Sequence, residues 1–123
     1  MKNLNVRALR VFVPAKDHDV STRFYEDLGF EVVWSGFDVS EMGIAGFSFL
    51  LQNYYQKEWA DNFMVQLKVA DLDAWWEQIV EKDLVGRYEG VRAKEPADYP
   101  WGLREIHLID PAGVLWHIAQ DQG

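Results

Sequence analysis

Cysteine is absent from all 123 residues, which excludes disulfides, thiolate metal sites, iron–sulfur clusters and thiol nucleophiles together and fits a reducing compartment. No apolar run approaches the roughly 18 residues that a spanning helix needs, and the opening MKNLNVR lacks the apolar stretch of a secretory signal. The expectation is a cytoplasmic protein with no membrane partner. Basic residues are in short supply, 12 Lys and Arg against 20 Asp and Glu, for a formal charge of −8. Such a surface repels phosphate backbones and anionic lipid, so no nucleic-acid partner is expected. No segment is biased enough in composition to read as a disordered tail. What the chain has in excess is aromatic: 15% of residues, six of them Trp. Its 49% hydrophobic content suits one packed domain over 1–123.

Residues 5–13, NVRALRVFV, alternate so that Leu9, Val11 and Val13 share one face and Ala8, Arg10 and Phe12 the other, the pattern of a strand closed by Pro14. Asp17 is placed to cap a helix in HDVSTRFYEDLGF, where Val20, Phe24 and Leu28 fall at helical spacing and Gly29 supplies a left-handed end. EVVWSGFDVSEMGIAGFSFLLQ, broken by Gly36, Gly43 and Gly46, reads as two or three short antiparallel strands. A polar-aromatic connector occupies 53–62, and then the order restarts. FMVQLKV alternates as a strand, Asp71 caps the helix LDAWWEQIVEKDL, and Leu72, Trp75, Trp76, Ile79 and Val80 form its buried stripe, with one Trp in the core and the other on the flank. A strand from Val91 to Lys94, the turn-rich EPADYPWG, the strand LREIHLI, a turn at Asp110-Pro111-Ala112-Gly113 and the strand VLWHIAQ complete the pattern. The expected fold is α+β, two β-α-β-β-β modules at about 5–52 and 63–120. Neither module buries its sheet alone, so they should pair, helices covering one sheet face while the other curls round a shared concavity.

Three stretches resemble the vicinal oxygen chelate superfamily, which includes glyoxalase I, extradiol dioxygenases, fosfomycin-resistance enzymes and bleomycin-resistance proteins: VPAKDHDVSTRFYEDLGFEVVW, VADLDAWWEQI and PWGLREIHLIDPAGVLWHIAQ. The last is the most specific. The resemblance implies a curved mixed sheet around a cavity and, in the metalloenzymes, a divalent ion held by His and Glu on inner strands. Those ligand positions correspond here to Arg10, approximately Leu50, Met64 and His117, of which only His117 can ligate. Gln52 or Glu105 are the alternative oxygen donors. The expectation is therefore no metal and no cofactor, as in the bleomycin-resistance branch, whose acidic homodimers hold a planar cationic antibiotic in grooves between subunits. By that resemblance the ligand-binding positions are Trp34, Gln52, Gln66, Trp101 and His117. Two departures thin the stacking platform, Gln66 where a relative can have Trp and Val39 where one can have Phe.

Each candidate also has a plain structural reading. Trp101, between Pro100 and Gly102, suits either stacking on a ligand or capping the core, and Trp34 either groove or half-buried packing. Trp116 alternates with Val114 and Ile118 and belongs to the core. His117 is either a ligand contact or a satisfied structural histidine. His107 shares parity with Glu105 as a polar pair, while His18 is expected in solvent. Arg10 and Lys68 fall on inner faces, where they either pair with Glu105 or meet an anionic group on a ligand, an option at odds with the acidic surface. The functional expectation is a metal-free, dimeric small-molecule binder. The alternatives are a lyase, isomerase or dioxygenase, with a displaced metal or with His117 as acid–base, and an interaction domain that has lost its pocket.

Overall fold

The computed structural model describes residues 2–123. Its first half runs β1 (Phe12–Pro14), α1 (His18–Leu28), β2 (Glu31–Gly36), β3 (Val39–Ile44) and β4 (Phe47–Gln52). After a short helix α2 (Lys57–Asp61) in the connector, the second half runs β5 (Met64–Lys68), α3 (Leu72–Glu81), α4 (Leu84–Arg87), β6 (Arg92–Asp98), β7 (Leu103–Ile109) and β8 (Leu115–Asp121). The two four-stranded sheets repeat one another, ordered β1-β4-β3-β2 and β5-β8-β7-β6. In each the leading strand lies parallel to the last, and the other pairs are antiparallel. This is the α+β arrangement of two βαβββ units that the pattern of strands and caps calls for.

The same local chemistry starts both helices. Asp17 Oδ1 accepts the Val20 N–H at 3.2 Å and Asp71 Oδ1 accepts that of Ala74 at 3.2 Å, each satisfying an otherwise orphaned donor of the first turn. Gly29, at φ 132°, ends α1 with its N–H turned to the Tyr25 and Glu26 carbonyls.

Several expectations are corrected. The strand expected over 5–13 pairs only at Phe12–Pro14. With Phe12 opposite Leu50, Leu9 already reaches the level of Phe47, the first residue of β4, so the residues before it run past the end of their partner. They lie exposed, Leu4 by 77% and Leu9 by 91%. The stretch EPAD, expected as turn, continues β6 through a register shift between Lys94 and Ala97. Pro96 is tolerated because β6 is an edge strand, where a missing N–H breaks no inner ladder. Helix α3 stops at Glu81 because Asp83 takes a left-handed conformation, and the buried stripe is completed by Leu84 of α4 rather than by Val80, which is exposed. Trp75 and Trp76 are both half-buried against the core. His18 is half-buried too, its Nε2 3.1 Å from Ser40 Oγ.

The core explains where the open surfaces lie. Phe49 of β4 and Trp116 of β8 meet with ring centroids 5.3 Å apart, and Tyr25 and Phe30 pack around both. Trp116 Nε1 donates to the Tyr25 hydroxyl at 2.8 Å, and that hydroxyl donates to buried Asp110. Helix α1 and the inner faces of both sheets thus share one core. The opposite faces of the two sheets therefore point away from each other. The shared concavity expected from the sequence is not formed within a single chain.

Candidate functional site

Strand parity sorts the candidate residues between these two open faces. In the first sheet Trp34 lies opposite Glu41, and Glu41 opposite Leu50, with Gln52 two residues further along β4. Arg10 reaches over the same face, its Nε donating to Ser48 Oγ at 2.8 Å and its guanidinium 3.4 Å from Glu41. In the second sheet Gln66 lies opposite His117 and Lys68 opposite Ala119, while His107 lies opposite His117 and Glu105 opposite Ala119. Lys68 is 2.6 Å from Asp121. Neither inner cation pairs with Glu105, because other carboxylates stand closer on their own faces. The structure brings His117 and Trp101 together but leaves Trp34, Gln52 and Arg10 on the other sheet. Gln66 stays exposed beside His117.

Glu105 organises the second face. Only 2% of its side chain is exposed, and three donors converge on it: Trp101 Nε1 on Oε2 at 2.8 Å, and His107 Nε2 and His117 Nδ1 on Oε1 at 2.8 and 2.9 Å. Burial alone would raise its pKa, but the bonds from Trp101, His117 and His107 outweigh burial and hold it at about 2. The carboxylate is therefore ionised near neutrality, and each imidazole must present a proton to it. That assigns N–H to Nε2 of His107 and to Nδ1 of His117. His107 Nδ1 then lies 3.4 Å from the Tyr99 hydroxyl.

A row of rings runs out from this carboxylate. Trp101 stacks on Tyr99 at 4.8 Å and 17°, Tyr99 on His107 at 4.9 Å and 28°, and His107 meets His117 edge to face at 4.7 Å. Trp101 remains 59% exposed, so it is a rim residue whose outer face is free to stack, not a cap on the core. Tyr99 is a member of the row that the sequence reading passed over. Its position between β6 and β7, beside Pro100-Trp101, was the available signal. His107 was placed with Glu105 but not among the ligand contacts.

A groove of about 860 Å³ lies on the helical side instead, lined by Lys16, Arg23, Asp27, Arg87, Tyr88 and others. Its side chains mix both charges in solvent, with Arg87 paired to Asp27 at 2.9 Å. The ring row and its carboxylate carry the more specific chemistry.

The metalloenzyme positions do not fit a divalent ion. Arg10 is a cation engaged with Glu41, Leu50 offers no donor, and these two sit on one sheet face while Met64 and His117 sit on the other. Among the described residues one group, Glu105, His107 and His117, brings three possible ligand atoms within 4.8 Å of one another. Two imidazole nitrogens of that group, His107 Nε2 and His117 Nδ1, are hydrogen-bonded to Glu105 Oε1.

Paired βαβββ modules with a polar, aromatic open sheet face define a class of scaffold used both for binding and for catalysis. Within it, residues 7–118 match the family model of the Glyoxalase/Bleomycin resistance protein/Dioxygenase superfamily, and the chain belongs to that family. A bleomycin resistance determinant encoded on the transposon Tn5 is similar in structure, with TM-score 0.79, 22% identity, and 95% of this chain and 100% of that one covered. The bleomycin-binding protein of Streptomyces verticillus, solved with copper(II)-bleomycin, gives TM-score 0.77 at 24% identity over 95% of this chain and 99% of that one. A lactoylglutathione lyase from Agrobacterium tumefaciens gives 0.66 at 16%, covering 92% of each chain. No curated protein matches in sequence. Likenesses at these identities show the fold, which binders and an enzyme share.

Proposed function

We propose that the chain is one binding domain of a cytoplasmic homodimer that captures a flat, cationic organic molecule of the bleomycin type without a catalytic metal. The observation that carries this reading is the row Trp101–Tyr99–His107, anchored on Glu105 with its outer ring in solvent. Offset aromatic stacking is worth about 1 to 3 kcal/mol per ring and tolerates many planar partners. Bleomycin-binding neighbours of the same fold support it, as does the formal charge of −8. Arg10 and Lys68, which as free cations would favour an anionic ligand, are each paired with a carboxylate.

A second copy is needed for a groove. Trp34, Gln52 and Arg10 occupy a face that points away from Trp101 and His117, so one chain alone offers two half-sites. Placing the first-sheet face of one copy against the second-sheet face of another encloses both, and a two-fold axis then makes two equal grooves. The exposed arm over 2–11, with Leu4 and Leu9, gives the partner apolar surface to cover.

Titrating bleomycin, free or copper-loaded, into the protein while following Trp fluorescence tests the ligand. Saturable quenching at micromolar drug is expected, with Trp101→Ala weakening it about tenfold. A flat titration removes this ligand class. One observation favours an enzyme as the second reading: Glu105 orients His117 as a carboxylate would orient a general base. Turnover of a glyoxalase-type substrate that is lost in His117→Gln would select it.

A further inference from the structure

The second open face carries more charge chemistry than the binding reading uses. Lys94 lies opposite His107 and Arg92 opposite Ile109 in the register of β6 with β7, so both cations stand on the same face as the ring row. They form its outer margin, because β6 is an edge strand, and both are exposed. Lys94 Nζ is 6.0 Å from the centroid of the Tyr99 ring, which places its charge beside the stack of Tyr99 and Trp101. The chain has 20 acidic residues for 12 basic ones, yet neither Arg92 nor Lys94 is paired with a carboxylate among the described residues. The other two cations of the open faces, Arg10 and Lys68, each hold one. Glu105, the carboxylate beneath the row, is only 2% exposed, accepts three donors and pairs with neither β6 cation.

We infer that Arg92 and Lys94 form an oxyanion-accepting rim on the ring row, so that the flat molecule taken by this site carries a carboxylate or a like anionic substituent. The inference rests on the proposed ring-stacking function and narrows its ligand class to a planar amphoteric molecule, a cationic ring system bearing an acidic group. The two charges of such a ligand answer to different parts of the protein's field. The formal charge of −8 draws the cationic rings toward the molecule as a whole, whereas the anionic group is recognised at contact, by the two unpaired cations of β6. Arg92 presents a planar fork that matches both oxygens of a carboxylate, and Lys94 a rotatable ammonium next to the stack. A rigid ligand holds ring and acid at a fixed separation, so both contacts form for the loss of one molecule's freedom.

The test uses a pair of dyes, rhodamine B, a cationic xanthene with a free carboxylate, and its ethyl ester, each titrated with the full-length protein and followed by fluorescence anisotropy. The acid is expected to bind about three- to tenfold more tightly than the ester, the range that exposed ion pairs supply, and the preference should shrink as salt is raised. Arg92→Gln combined with Lys94→Gln, both at exposed positions, should bring the acid-to-ester affinity ratio to about one while the circular dichroism stays that of the folded chain. Trp101→Ala should weaken both dyes alike and leave the ratio in place. Equal or tighter binding of the ester by the unaltered protein, or a preference that survives the double variant, overturns the rim and leaves the stacking reading standing. Binding of neither dye overturns the stacking reading, and the rim with it.

Discussion

Two buried carboxylates, Glu105 and Asp110, stand in the same module and respond to pH in opposite senses. Glu105 is held at about 2 against an ordinary 4.5, so its contribution to stability is present above pH 4.5 and is lost as pH falls toward 2. Glu105→Gln should cost about 2 kcal/mol at pH 7, since it leaves one of three donors poorly matched. Urea denaturation at pH 7, 4 and 3 should show that difference shrinking on acidification. Asp110 is pushed the other way, to about 6 from 3.8, because burial outweighs the bonds it accepts from Tyr25 and from the Val114 and Ala112 backbone. Its contribution is full below pH 3.8 and is lost as pH rises through 6. Asp110→Asn should therefore flatten the part of the stability curve between pH 4 and 6, measured by the same denaturation. In the sequence Asp110 reads as the first residue of a turn and Glu105 as an alternative oxygen donor and a partner for His107. Glu105 was legible as a member of a polar pair, but three donors meeting on one carboxylate depend on a turn that folds Trp101 back over β7.

At the scale of elements, caps and turns were the most readable features because their chemistry is local. Asp17 and Asp71 each lie three residues before the N–H they accept, and Asp71→Ala is expected to lower stability by about 1 kcal/mol in thermal or chemical denaturation. Gly113 takes φ 102° in the turn that joins β7 to β8, and a Cβ there would meet Asp61 Oδ1 at 2.8 Å. Gly113→Ala should destabilise by about 1 kcal/mol or more in the same measurement. Strand limits were less readable, since a strand needs a neighbour. The alternation over 5–13 is real, yet it pairs with β4 only at Phe12–Pro14, and β6 runs through Pro96 only because it lies at an edge. Val80 had helical spacing in its favour but lost its buried place when Asp83 turned the chain.

For the whole molecule, the decisive feature is which faces of the two sheets share the core. Because Phe49 and Trp116 meet in it, the candidate residues divide into two half-sites on opposite sides. The proposed assembly should appear in light scattering as twice the 14.3 kDa of one chain at micromolar concentration. Leu9→Asp, on the exposed arm, should shift that mass toward the monomer while leaving the circular dichroism of the folded body unchanged. No described helix is long and apolar enough to cross a membrane.

By itself the sequence determined the repeated βαβββ order, the capping aspartates, the Asp110–Gly113 turn and the place of Trp116 in the core. These rest on spacing of a few residues, where backbone geometry and hydrogen-bond reach leave little choice. Tertiary structure alone decided which ions pair on each face, that Glu105 collects Trp101, His107 and His117, and that the two open faces look outward. Those outcomes depend on contacts between segments far apart in the chain, which no local pattern of residues encodes.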